Sequence, residues 1–361
     1  MKVIYVVSRL NNAGPINQLY SLLKWTSQKC ECVVYTLFAE NEDSKLEDFK
    51  KLNIKIKSFG ISSKIGIFVM SNLINNMIVN EKPEIIHTEG LAADIVIRKA
   101  KKECKWCSTL HNNIYSDYKL GLNAIKAFFY RKLHEICIRD MDMPICCSYS
   151  IMNEYKKHFK NKEFVAIQNG ICVPDTTNIK KDYLKQYNGK TIIISVGSLV
   201  LRKNPEFIIE NIKTWLQENN AILIILGEGK LMQSCREKAN KNIVFEGKVK
   251  NVYDYLAAAD IFVSASYSEG LPMAVIEAGC FGKKLVLSDI QAHKELSNNS
   301  NCCGMYFFET DNEKEFIRKL NESLNSSVNS NDIRNYFVNN YNENVMGEKY
   351  YNIYLEMQRR K

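Results

Sequence analysis

The chain has 361 residues, 46% of them hydrophobic and 25% charged, with a formal net charge of +9. That length suits two domains rather than one core, and that composition excludes a disordered or membrane-embedded chain. The charge is uneven: residues 1–180 hold 26 Lys and Arg against 18 Asp and Glu, while residues 181–361 hold 23 against 22.

The basic first half fits an anionic membrane face, a phosphorylated substrate or nucleic acid, and a merely soluble basic surface stays open beside them. The first apolar run, KVIYVV at 2–7, is too short for a signal peptide's hydrophobic region. Nothing later approaches the ~20 apolar residues of a spanning helix. The expected location is the cytosol.

In chain order, short apolar runs alternate with helix-length gaps. KVIYVV is followed by helical spacing at Ile16, Leu19, Leu22, Leu23 and Trp25. Further runs lie at 32–38, 54–59, 84–88, 105–111, 144–148 and 163–170. A second series begins with TIIISVG at 191–197 and continues at 221–229, 242–247, 260–266 and 283–289. These runs are apolar without alternation, as strands covered on both faces are. The pattern predicts α/β architecture: two doubly wound Rossmann-like domains, each on a parallel sheet. The expected boundaries are 1–170, a linker at 171–190 and 191–340, with a closing helix at about 341–361 packing back on the first domain. Ser297–Asn301 and Asn321–Asp332 read as loops or helix-to-helix links.

The sequence has twelve cysteines, scattered along it. In a reducing compartment they read as small buried hydrophobes. Cys104 and Cys107 have CxxC spacing, but a second ligand pair for zinc is not nearby.

In open parallel sheets, ligands bind beyond the carboxyl ends of strands. After the first strand, Gly14 and Pro15 open a helix whose N-terminus favours anions. An ordinary strand-to-helix loop explains the same residues. His111 ends the run at 105–111, where a proton can be donated or accepted near neutrality; a lone histidine is more often structural, and His87 ends another run similarly. After TIIISVG come Arg202 and Lys203, placed for a diphosphate or simply solvated. Gly227 and Gly229 form a tight turn; Met232 stands where a dinucleotide fingerprint needs its third glycine.

EGLPMAVIE at 269–277 carries the strongest signal. Glu269 lies on a loop beyond a strand, and Pro272 starts a helix that stops at Gly282. Glu277 falls about one and a half turns into that helix. Carboxylates at both positions accept from sugar and ribose hydroxyls, and the helix start between them meets phosphate.

With Glu269 and Glu277 separated by seven residues, the segment resembles the E-x7-E motif of the retaining glycosyltransferases of family 4 type (glycosyl transferases group 1), which have the GT-B fold. The surrounding YLAAADIFVSAS, FEGKV at 245–249, GEG at 227–229, QNGI at 168–171 and VGSL…RKN at 196–204 follow the family's order. IIHTEG at 85–90, STLHN at 108–112 and CCSYS at 146–150 match more loosely. The resemblance implies two domains facing a central cleft and roles residue by residue. Lys203 would bind the donor diphosphate. Where many members have Arg after the glycine matched by Gly197, this chain has Ser198, and Arg202 is the candidate replacement cation. Glu277 would accept from the ribose. Glu269, with the backbone of Gly270 and Leu271, would hold the transferred sugar. Val249 would lie near the base, Gly14 near the diphosphate and His111 near the sugar's reacting face. His111, Glu269 and Lys203 are the expected catalytic residues.

The implied reaction moves a hexose or N-acetylhexosamine from a UDP-sugar to a saccharide or lipid-linked saccharide, with anomeric configuration retained. Front-face attack, with the leaving diphosphate helping take the acceptor's proton, rests on positioning and electrostatics. The sequence has no metal-binding DxD loop, so no metal or cofactor is expected. Leu122–Met141 mixes Phe128, Phe129 and Leu133 with Lys126, Arg131 and Lys132. It could lie on an anionic membrane or pack in the core with a wet basic face. A nucleotide-sugar epimerase and a non-catalytic nucleotide-sugar-binding protein remain as alternatives. Only charge favours a nucleic-acid partner, and none is expected.

Overall fold

The structure is a computed structural model that describes residues 1–61, 67–100, 104–173, 179, 183–297 and 304–360. The chain divides into a first unit, Met1–Cys172 with Tyr341–Lys361, and a second unit, Val173–Asn340. The expected linker lies partly outside the described residues, as does part of Ser297–Asn301.

In the first unit the strands are β1 (Lys2–Val7), β2 (Glu31–Phe38), β3 (Lys55–Ile61), β4 (Ile85–Glu89), β5 (Lys105–Leu110), β6 (Met143–Cys146) and β7 (Val165–Ala166). They form one parallel sheet in the order β3-β2-β1-β4-β5-β6-β7. Val3–Val7 have no solvent exposure, which explains why β1 lacks polar alternation. The order reverses between β1 and β4, so the loops after these strands diverge and leave a crevice at their carboxyl ends. The 163–170 run yields only a two-residue strand at the sheet edge.

The closing helix, Glu343–Arg359, belongs to the first unit. It lies on the helix Gly14–Thr26: a Cβ on Gly347 would come within 2.7 Å of the Trp25 ring, and Gln18 Nε2 donates to Tyr350 Oη at 3.4 Å. Tyr350, Tyr354 and Met357, one helical turn apart, are buried by this packing.

The second unit contains β8 (Thr191–Val196), β9 (Ala221–Leu226), β10 (Ile243–Gly247), β11 (Ile261–Ser264), β12 (Lys284–Ser288) and β13 (Met305–Phe308). All pairs are parallel in the order β10-β9-β8-β11-β12-β13, with the reversal between β8 and β11. β13 is not anticipated by the run pattern, because four residues after an Asn/Ser-rich stretch give too short a signal. Asn321–Asp332 is only partly a link. Its ends belong to the helices Glu313–Asn325 and Ser330–Asn340, where Phe316, Leu320, Ile333 and Phe337 are buried.

Cys104 and Cys107 form no disulfide, and Cys107 is buried. Among the described residues no helix is long and apolar enough to cross a membrane. None of their His, Cys, Asp and Glu side chains form a group of three or more that could hold a metal ion.

Candidate active site

Two loops of the second unit meet at the reversal between β8 and β11. The loop after β8 makes one turn of 3₁₀ helix, Leu201–Lys203. Asn204 ends the turn in the left-handed region (φ 49°, ψ 48°), and Pro205 starts the helix Pro205–Glu218. Asparagine tolerates that conformation, and proline needs no N–H at a helix start. The loop after β11 is tied to this turn: the Tyr267 N–H donates to the Arg202 carbonyl at 2.9 Å. Asn204 Nδ2 and Tyr267 Oη both donate to Asp311 Oδ1, at 2.9 and 3.0 Å.

These ties bring Glu269 between two cations. Lys203 Nζ donates to Oε1 at 2.5 Å and Arg202 Nη1 to Oε2 at 2.9 Å. Ser266 Oγ also donates to Oε1, at 2.7 Å. Arg202 Nη1 reaches the Ser268 carbonyl at 2.6 Å as well, so its fork is fixed by backbone and side chain together. Glu269 is buried, whereas both cations keep partial exposure. Burial pushes the Glu269 carboxyl up, but Lys203 and then Arg202 outweigh it and hold the group down at about 2. The cluster is one carboxylate and two cations, a net positive charge at a switch point.

Sequence reasoning misses Ser266 and His293. His293 is fully buried behind the cluster, with Nδ1 donating to the Ser288 carbonyl at 2.8 Å. Burial pushes its pKa down to about 4, against an opposing pull from Glu269. No motif in the one-dimensional text marks it.

A seam of backbone supports the cluster. Gly197 N–H donates to Leu226 O at 2.9 Å, Leu199 N–H to Glu228 O at 2.9 Å, and Gly227 N–H to Gly247 O at 2.7 Å. Gly227 has φ 134°, and a Cβ there would stand 2.0 Å from the Gly197 carbonyl oxygen. The Gly227 requirement is therefore a packing one. Lys203 passes over Gly197, its Cε 3.7 Å from where a Cβ would be. Ser198 beside it is exposed.

The helix of EGLPMAVIE runs Met273–Cys280, with Pro272 at its N-cap position. Gly282, with φ 69°, turns the chain after it against Ser330. Gly270 and Leu271 are buried beside Glu269, while Glu277 and Val249 are half-buried. Val249 lies two residues past β10.

In the first unit Gly14 opens the helix Gly14–Thr26, with Pro15 in its first turn. His111 is one residue past β5, and its Nε2 is 2.5 Å from Glu89 Oε2 at the end of β4. His87 is different: it sits inside β4, unexposed, held by Tyr354 Oη at 2.6 Å and Thr109 Oγ1 at 2.7 Å. Burial pushes its pKa down to about 3, so it is a neutral core residue. Glu89 is visible in the sequence only as a letter of IIHTEG, with no role attached.

The helix of the 122–141 segment runs Ala124–Asp140. Its inner face buries Ala127, His134 and Ile138. Its outer face is also apolar: Ile125, Phe129, Leu133 and Ile136 are 72%, 62%, 42% and 36% exposed. The helix therefore packs by its inner face and carries an exposed apolar stripe beside its basic residues.

Residues 17–173 match the family model for Glycosyltransferase Family 4, and residues 176–342 that for Glycosyl transferases group 1. The Staphylococcus aureus capsular polysaccharide biosynthesis glycosyltransferase CapH is 30% identical over 332 residues, 88% of either chain. The chain is a group 1 glycosyltransferase of the GT-B fold. An Escherichia coli UDP-Gal:alpha-D-GlcNAc-diphosphoundecaprenol alpha-1,3-galactosyltransferase is 24% identical to this glycosyltransferase over 80% of each chain. The crystal structure of Anabaena HepE with UDP-glucose superposes with a TM-score of 0.81 at 12% identity, over 99% of this chain and 100% of that one.

Proposed function

We propose that this glycosyltransferase moves a hexose or N-acetylhexosamine from a UDP-sugar to a saccharide or lipid-linked saccharide in bacterial surface polysaccharide synthesis, with retention. The Arg202–Glu269–Lys203 cluster at the switch point carries the reading. Its two partly exposed cations match a leaving diphosphate, and a carboxylate buried between them fixes their positions. UDP is the favoured nucleotide because HepE was crystallised with UDP-glucose and the galactosyltransferase relative is named for UDP-Gal. The relatives' names point to capsule and lipid-diphosphate-linked acceptors.

In this reading Lys203 and Arg202 neutralise charge growing on the diphosphate. Glu269 and the buried backbone of Gly270 and Leu271 hold the sugar, and the half-buried Glu277 accepts from the ribose. Val249 lines the base, with Gly197, Ser198 and Gly227 in the loops beside the phosphates. The proposed roles of Gly14, at the diphosphate, and His111, at the sugar, come from the family resemblance. Because side-chain cations and a helix N-terminus carry the leaving-group charge, the proposal includes metal independence. Incubating UDP-sugars with and without saccharide acceptors tests it: glycosylated acceptor with retained configuration is expected. An epimerised donor formed without acceptor would sink the reading.

The proposed location is the cytoplasm, in peripheral contact with anionic membrane. The exposed stripe on Ala124–Asp140 is flanked by Lys126, Lys132 and Arg139, and Arg131 stands 5.6 Å from the Phe128 ring. Apolar side chains with cations along both flanks match the acyl and headgroup layers of an acidic bilayer.

A further inference from the structure

His111 is not held by its own loop. Its ring backs onto Glu89, a carboxylate 22 residues earlier, which parallel pairing of β4 with β5 brings alongside. Glu89 pairs in register with Thr109, two residues before the histidine. Glu89 is 5% exposed, and burying a carboxylate is costly unless a partner repays it. Burial raises the Glu89 carboxyl, and His111 opposes that rise.

Besides His111, the Thr109 hydroxyl also helps to hold the Glu89 carboxyl down. Its Oε1 faces His87 Nε2 at 3.6 Å, but that nitrogen is already bonded to Thr109 Oγ1. The Thr109 hydroxyl is in turn shared with Tyr350 Oη at 3.0 Å. His87, Thr109, Tyr350 and Tyr354 thus form a locked layer beneath the dyad. Asp94, close enough to raise the Glu89 carboxyl further, is taken by the Thr88 hydroxyl at 2.6 Å. The 2.5 Å bond to His111 Nε2 is the short one that remains. A carboxylate can only accept, so a ring nitrogen facing it must carry the hydrogen.

We propose that Glu89 is a positioning residue for the transfer reaction: its carboxylate holds His111 in the Nε2–H form, so that Nδ1 is the ring nitrogen offered to a hydroxyl of the transferred sugar. This rests on the reading of His111 as a sugar contact. Nitrogen-15 NMR of the wild-type ring tests the tautomer without any variant. The expected pattern is a protonated Nε2 and an unprotonated Nδ1 when His111 is neutral; the opposite pattern overturns the proposal. Kinetics test the consequence. Glu89→Gln is expected to lower kcat about 10–100-fold, as loss of ring orientation does, with KM for the UDP-sugar within about twofold. Thermal unfolding identifies any variant that fails to fold, in which case the wild-type NMR pattern decides. Loss of turnover in His111→Ala with wild-type kcat in folded Glu89→Gln overturns the proposal alone. Full turnover in His111→Ala overturns the underlying reading, and the proposal with it.

Discussion

Lys203 Nζ and Glu269 Oε1 lie 2.5 Å apart, although 66 residues separate them in sequence. The pair joins the loop after β8 to the loop after β11 at the place where the strand order reverses. Lys203→Ala removes one of the two cations offered to a diphosphate. A charge-assisted hydrogen bond contributes about 1.5–3 kcal/mol, so UDP affinity is expected to fall about 10–100-fold by titration calorimetry. Wild-type affinity would remove Lys203 from the donor site.

Glu269→Gln separates binding from turnover. The cations lose their buried anion but stay near the surface, so UDP still binds, while transfer falls because the sugar loses its carboxylate. Calorimetry and initial rates on one preparation distinguish the two effects.

Acid should weaken the second unit through two buried groups. His293, with a folded value of about 4 against an ordinary 6.5, stays neutral while the unfolded chain takes up a proton. Stability is therefore lost as pH falls from 6.5 towards 4. Glu269, at about 2 against an ordinary 4.5, adds stability that is full above 4.5 and lost as pH falls towards 2. Thermal unfolding against pH should show the first loss reduced in His293→Gln and the second in Glu269→Gln.

Gly227→Ala is expected to cost about 2 kcal/mol or more, because its methyl group meets a backbone carbonyl and its φ is one L-residues avoid. The displaced loop carries Arg202 and Lys203, so UDP affinity should fall along with the melting temperature. An unshifted melting temperature would show that the seam yields easily.

Phe129→Glu together with Leu133→Glu should abolish sedimentation with anionic vesicles and leave transfer to a soluble acceptor unchanged. Vesicle binding that persists would disprove the membrane contact; a concentration-dependent dimer lost in the variant would assign the stripe to a second copy instead.

Much of the fold was legible because buried parallel strands are uninterrupted apolar runs: β1, β8 and β9 match their runs at the first residue. β13 was obscured because a four-residue edge strand carries almost no periodic signal, and the 163–170 run was longer than the two-residue β7 it yields. Arg202, Lys203 and Glu269 were visible as charged residues on loops after strands. Glu89 was not, because parallel register alone brings it beside His111; Ser266 and His293 bond partners only three and five residues away, Glu269 and Ser288, but no motif marks either residue.

The sequence by itself determined the alternation of strands and helices, the switch-point loops and the charged residues on them. These are local properties, carried by periodicity, glycine, proline and loop position. Tertiary structure alone decided that Glu269 sits between two cations, that Glu89 backs His111 and that Gly227 rests on Gly197. It also decided that Ile125 and Phe129 point outward. A helix apolar on both faces has no preferred side until its neighbours are in place, and residues tens of positions apart meet only when parallel strands set their register.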